Sequence, residues 1–183
     1  MTSMETLEMM KEIDPTSVTS VAGGDAAACT TSDVAAVAFP GLAWFQRLAD
    51  LMNENRARQE QLGYVDCVAG FRVLDGPGDK PRIFEVTFEE FSAIDVREGD
   101  TDAPGADFIL EATAATWREM IESIAGGRGR PDLTHTLNFL SHRGTPIRLV
   151  SDDPLKADLY FRYNQSLQEF VNASAAFETT FPF

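Results

Sequence analysis

Residues 106–127, ADFILEATAATWREMIESIAGG, constrain the fold more than any other stretch of the chain. Asp107-Phe108-Ile109-Leu110-Glu111-Ala112 contains no breaker and is rich in strand formers, so it predicts a short strand. Directly after it, Trp117, Met120, Ile121, Ile124 and Ala125 recur at i, i+3, i+4, i+7 and i+8, the single stripe of an amphipathic helix. Thr113 is placed to cap that helix and Gly126-Gly127 to end it. An apolar stripe led by Trp and Met has to cover something apolar, either a sheet packed directly beneath it or a sheet with a cavity between.

The flanking sequence supplies the sheet. Val65, Cys67, Ala69, Phe71 and Val73 alternate with polar or small residues, Asp75 to Asp79 form a turn, and Phe84, Val86 and Phe88 alternate with Glu85, Thr87 and Glu89, so a hairpin with one wet face is expected. Residues 91–96 read as another strand, and 146–150 as a short one. Consecutive strands on short turns favour an antiparallel sheet with helices on one face, an α+β class. Before the sheet, Leu42, Phe45, Leu48, Ala49 and Met52 predict a strong helix after the breakers Phe39-Pro40-Gly41; its second half, 53–61, is polar nearly all round and is expected to project into solvent until Gly63. After it, Pro131 opens a predicted helix with Leu133, Leu137 and Leu140 on one face and His135, Phe139 and His142 on the other. Asp153-Pro154 opens the last one, striped by Leu155, Leu159, Tyr163, Leu167, Phe170 and Val171 and flanked by Tyr160 and Phe161.

A chain of 183 residues accommodates one domain with an extension. The division expected is an N-terminal arm and linker over 1–38, a domain over 39–176 and an aromatic tail over 177–183. The arm is Ser-, Thr-, Gly- and Ala-rich beyond Asp14 and has too little apolar area to order itself, although Met4, Leu7, Met9 and Met10 could dock on a partner subunit. The tail, with Phe177, Phe181 and Phe183, is expected to fold back over an apolar groove.

Fifteen Lys and Arg against 29 Asp and Glu give a formal charge of −14, which repels nucleic acid and anionic lipid surfaces. Two cysteines, Cys29 and Cys67, form no C-x-x-C pair, and no dinucleotide, phosphate-loop, H-E-x-x-H or G-x-S-x-G pattern occurs, so neither metal nor cofactor is expected. The start of the chain lacks the basic and apolar regions of a signal peptide, and no apolar run reaches membrane length; a cytoplasmic protein without stable membrane insertion is the expectation.

If the central helix covers a cavity, Phe84, Val86, Phe88, Trp117, Met120, Ile121, Ile124 and Phe161 are its walls; otherwise they fill a core. His135 and His142 lie about 10.5 Å apart along a helix axis, too far to share one ion, so each reads as a lone acid or base, or as plain surface. Glu85, Glu89 and Glu111 alternate with apolar residues as carboxylates on a solvated strand face do.

Taken in order, the helix, the strands, Ala106-Asp107-Phe108-Ile109-Leu110, the next helix and Gly144-x-x-Ile147-x-Leu149-x-Ser151-Asp152 resemble the sterol carrier protein (non-specific lipid-transfer) family over residues 39–171, with Ser151 in place of the family's Gly. The resemblance implies a mixed, mostly antiparallel sheet of about five strands with helices enclosing an apolar tunnel. It also implies binding of sterols, acyl chains or other lipids without a cofactor. The peroxisomal tripeptide of some members is replaced by Phe181-Pro182-Phe183. The leading expectation is therefore a binder or carrier of a hydrophobic small molecule. A cofactor-independent isomerase, cyclase or hydrolase using His135 or His142 on the same scaffold is the second, and a module that pairs two copies into a homodimer the third.

Overall fold

The computed structural model describes residues 36–102, 104–142 and 146–183; nearly all of the predicted arm and linker, with Met4, Leu7, Met9, Met10 and Cys29, and also Gly144, lie outside the described residues. One compact unit spans Val34–Phe183 and includes the aromatic tail. Its centre is a five-stranded mixed sheet in the order β4-β3-β2-β5-β6. The strands are β2 (Val65–Gly76), β3 (Lys80–Glu90), β4 (Ser92–Glu98), β5 (Phe108–Ala112) and β6 (Arg148–Val150). Every pairing is antiparallel except β2 with β5. That parallel pair exists because residues 99–107 carry the chain from the β4 edge across β3 and β2.

The predicted alternation sets the register. Phe71 pairs with Phe84, Ala69 with Val86 and Cys67 with Phe88, so all six point to one face, where the helices lie. At the β4 edge the Asn53 carboxamide bonds both the N–H and the C=O of Ala93 at 2.9 Å, occupying groups that another strand would otherwise pair.

The helix after Pro40 is broken in two, α1 (Leu42–Glu54) and α2 (Arg56–Leu62). Asn55, at φ −106° and ψ 46°, ends the first and precedes the second, in keeping with the preference of Asn for caps over helix interiors. The polar half is mostly exposed, as expected, but one side of it does not reach into solvent. It turns onto the last helix, burying Gln59 and joining Arg58 to Glu169 at 2.8 Å. Gly63 ends α2 at φ 106°, a conformation that favours glycine. The central helix is α3 (Ala114–Gly126), capped by the Thr113 side chain on the Thr116 N–H.

The predicted helix opened by Pro131 also divides, into a 3-10 turn at Leu133–His135 and α4 (Leu137–Ser141). Asp132 caps the turn and Thr136, in extended geometry, caps α4; these short polar side chains compete with the backbone and interrupt the helix. Leu137 and Leu140 stay buried, but Leu133 is carried out to solvent. The last helix, α5 (Pro154–Asn172), starts at Asp153, whose carboxylate accepts the Leu155 N–H at 2.8 Å. After it the chain folds back: β7 (Thr179–Thr180) pairs in parallel with β1 (Val37–Ala38). Trp44 Nε1 donates to Thr179 Oγ1 at 3.0 Å, while Phe177 packs on Trp44 and Phe181 on Phe39. The tail's aromatic groups are thus engaged within their own domain.

The second face of the sheet is not the wet face that alternation predicts. Glu85 is 2% exposed and Glu111 5%, while Glu89 is exposed as expected. Alternation shows only that these side chains point away from the helices; Gly99 and Gly105, after β4, lie against Glu85, and the Arg72 and Arg148 side chains cover Glu111. Glu85 accepts the Gly105 N–H at 2.6 Å and the Arg97 Nε–H at 2.8 Å. Glu111 accepts from Arg72 at 2.9 Å and from Arg148. Ile83 and Ile109 form a small apolar patch there over Gly70, where a Cβ would stand 3.0 Å from Ile109 Cγ1 and 3.1 Å from Ala106 Cβ.

Candidate functional site

The helix-side face of the sheet gathers the predicted wall residues. Phe84, Val86 and Phe88 rise from β3, and Trp117, Met120, Ile121 and Ile124 descend from α3; all seven are buried in one apolar cluster. Phe45 of α1 stacks on Phe84 with ring centres 4.6 Å apart, and Trp117 meets Phe71 edge-on at 6.1 Å. The indole N–H is satisfied by the Arg72 carbonyl at 3.1 Å, so Trp117 is fixed in orientation as well as in depth.

Phe161 does not join them. It is 60% exposed, whereas its neighbour Tyr160 is buried and lies 5.9 Å from Phe108. Successive helical residues differ by about 100° around the axis, and α5 turns only the Tyr160, Leu167, Phe170 and Val171 side inward. Phe170 contacts Phe71 at 5.9 Å and Phe88 at 5.2 Å, so this member of the predicted α5 stripe belongs to the wall, although it is not among the expected wall residues. Tyr160 keeps its hydroxyl paired with Ser141 Oγ at 2.7 Å, and burial pushes its phenol above the ordinary range.

His135 and His142 are separated by the break at Thr136. His135 Nδ1 lies 2.7 Å from Asp132 Oδ2, and the Asp132 carboxyl is held well below the usual range by the Thr134 hydroxyl and then by this imidazole. His142 follows α4 on the exposed surface. No group of three or more potential metal ligands occurs among the described residues.

Beside the wall runs a surface groove. One part, of about 490 Å³, is lined by Leu62, Tyr64 and residues 161–166 of α5. It continues past Leu62, Asn164 and Gln165 into a second part of about 400 Å³, bordered by Arg58, Thr136, Asn138, Gln168 and Glu169. Three elements far apart in sequence contribute to it, so no local motif announces it. α5 therefore divides two environments: its inner side seals the aromatic wall, and its outer side lines an open, amide-rich groove.

Cys67 lies on the wall opposite Phe88, and burial pushes its thiol up to about 12. A buried, protonated thiol is a poor nucleophile. In a Cys29→Ser background, an aromatic disulfide reagent near neutral pH is expected to leave the native protein unlabelled and to label Cys67 fully in denaturant. Rapid native labelling would show that the wall opens readily.

This arrangement, a mixed five-stranded sheet with α1, α3 and α5 on one face, defines an α+β domain of the sterol carrier type. The structure of sterol carrier protein 2 superposes with a TM-score of 0.55 at 22% identity, covering 74% of this chain and 95% of that one. A conserved hypothetical protein from Thermus thermophilus, itself a sterol carrier protein candidate, gives a TM-score of 0.57 at 21% identity over 81% of this chain and 99% of that one. The domain therefore has the sterol carrier protein fold. No family model and no curated protein matches the sequence.

Proposed function

We propose that the domain binds and carries a hydrophobic small molecule, such as a lipid, sterol, acyl chain or apolar biosynthetic intermediate, between the sheet and α3 and α5. The observation that carries this reading is the two-sided character of α5. Its inner residues Tyr160, Leu167, Phe170 and Val171 cover the aromatic wall, and its outer residues line a groove of about 490 Å³ next to that wall. An outward movement of α5 would open the filled core beneath it into a tunnel walled by Phe84, Val86, Phe88, Trp117, Met120, Ile121 and Ile124. Phe161 serves at the groove, on the path of access. The fold supports the reading, because the solved structures that share it include that of sterol carrier protein 2.

Affinity comes mainly from apolar burial, about 25 cal/mol per Å² before ordering costs are subtracted. No ionisable group or metal is needed for this mode of binding. No described helix is long and apolar enough to cross a membrane. Organic extraction of the purified protein followed by mass spectrometry is expected to release a defined apolar compound. An empty extract, combined with no binding across sterols, fatty acids and acylglycerols, would sink the proposal.

A further inference from the structure

The short helix α2 is held against the domain by charge and by little apolar surface. Its 7 residues are too few for a helix to persist unaided, and Asn55 gives it no side-chain cap. Apart from half-buried Leu62, it turns only Gln59 inward; that residue is 4% exposed, and its amide oxygen finds no hydrogen-bond partner among the described residues. The other attachments are ionic and partly wet. Arg58 meets Glu169 of α5 at 2.8 Å, and Arg56 lies 3.8 Å from Glu90 and over the Phe91 ring at 5.4 Å. Neighbouring α1, by contrast, buries Trp44, Phe45, Leu48, Ala49 and Met52. α2 also stands between two spaces along α5. Arg58 and Leu62 border the groove part of about 400 Å³, while Asn55 and Gln59 border another cavity of about 160 Å³ that ends on Met52; Glu169 lines both.

We propose that α2 is a latch on α5: it releases between Asn55 and Gly63 while the sheet stays folded, and this local opening sets the rate at which a hydrophobic molecule enters. The inference rests on the carrier reading above. Breaking the Arg58–Glu169 pair frees α5 on its α2 side, and lifting Gln59 joins the groove to the cavity at Met52, a member of the buried apolar cluster. Partly exposed ion pairs contribute little and are screened by salt, and an unpartnered amide oxygen regains water when it is lifted out. Release of α2 therefore requires far less free energy than global unfolding. Its two ends already lie outside helical geometry, Asn55 at ψ 46° and Gly63 at φ 106°, so single residues absorb the rotation.

The test pairs native-state hydrogen exchange of the full chain with stopped-flow association of a fluorescent polyene. The α2 amides are expected to open at least about a hundredfold more often than those of β2, and more often still in high salt. Arg58→Gln, which keeps much of the stem and removes the charge, should speed both α2 exchange and polyene association about two- to fivefold. Gln59→Leu, which puts an apolar side chain where the amide is unpartnered, should slow both about tenfold. Polyene affinity stays nearly constant across the three proteins, because a gate scales entry and exit together, and β2 exchange in each variant establishes that it folds. Exchange of α2 only in step with β2 would overturn the latch whatever the polyene does. If α2 opens locally but the polyene enters all three proteins at one rate, the gating is overturned and the carrier reading stands. A polyene that binds none of them removes the carrier reading, and the gate with it.

Discussion

Replacing Glu111 with Ala is expected to lower unfolding stability by about 3–5 kcal/mol, because it leaves a largely buried guanidinium without its counterion. The carboxylate side chain is 6% exposed and the Arg72 side chain 16%, and Arg72 also donates to the Thr101 carbonyl of the crossover at 3.1 Å. Losing Glu111 therefore frees the clamp on the crossover as well as the pair. Arg148 is 64% exposed, so Arg148→Ala should cost only about 0–1 kcal/mol. The double change Glu111→Leu, Arg72→Leu should recover much of the loss, since apolar side chains of similar volume replace buried pairs well. Urea unfolding curves of the three variants check this ordering, and equal losses for Glu111→Ala and Arg148→Ala would refute it. The pair also fixes a pH dependence. Burial pushes the Glu111 carboxyl up, but the bonds from Arg72 and Arg148 outweigh it and hold the pKa below the ordinary 4.5. A depressed folded pKa contributes stability that is present above 4.5 and lost as pH falls through the lowered value. Glu111→Gln should accordingly flatten the acid limb of the stability profile.

Phe170→Ala is expected to cost about 3–5 kcal/mol, the range for emptying a buried aromatic site. Phe170 is fully buried and bridges Phe71 of β2 and Phe88 of β3, so it anchors α5 to two strands at once. Phe161→Ser and Leu155→Ser, on the exposed side of the same helix, should stay within about 0.5 kcal/mol. Denaturant unfolding with near-ultraviolet circular dichroism reads both quantities. If α5 is the movable wall, Phe170→Ala also opens space behind it and should bind a fluorescent polyene probe of apolar sites more tightly despite its lower stability. Unchanged binding at reduced stability would place the ligand elsewhere.

Much of the architecture follows from local pattern. The β2–β3 hairpin, the strand at Phe108, the Thr113 cap and the buried stripe from Trp117 to Ile124 all arise from period and capping, which act over a few residues. What pattern could not supply depends on distant elements. Glu85 and Glu111 alternate as surface residues do, and only distant groups, Gly99 and Gly105 over Glu85 and two arginines over Glu111, make them buried. Asn55 and Thr136 sit inside acceptable helical patterns, and their preference for caps stops each helix where the apolar period alone would continue it. Phe161 reads as part of the wall because it adjoins Tyr160 in sequence, while the rotation of the helix between them separates water from core. The amide-rich groove draws on α2, on α4 with its preceding cap residue and on α5, so it has no signature in any one segment.

The pairing of Val37 with Thr179 has a consequence for the order in which the domain is threaded. Both ends of the domain lie side by side in adjacent strands. A chain opened in the β2–β3 turn, where Gly78 stands at φ 79° with open space around it, and rejoined by a short linker from β7 to β1 would keep every strand neighbour it has now. The sheet is specified by which faces and edges meet, so the point at which synthesis begins is a free parameter of this architecture.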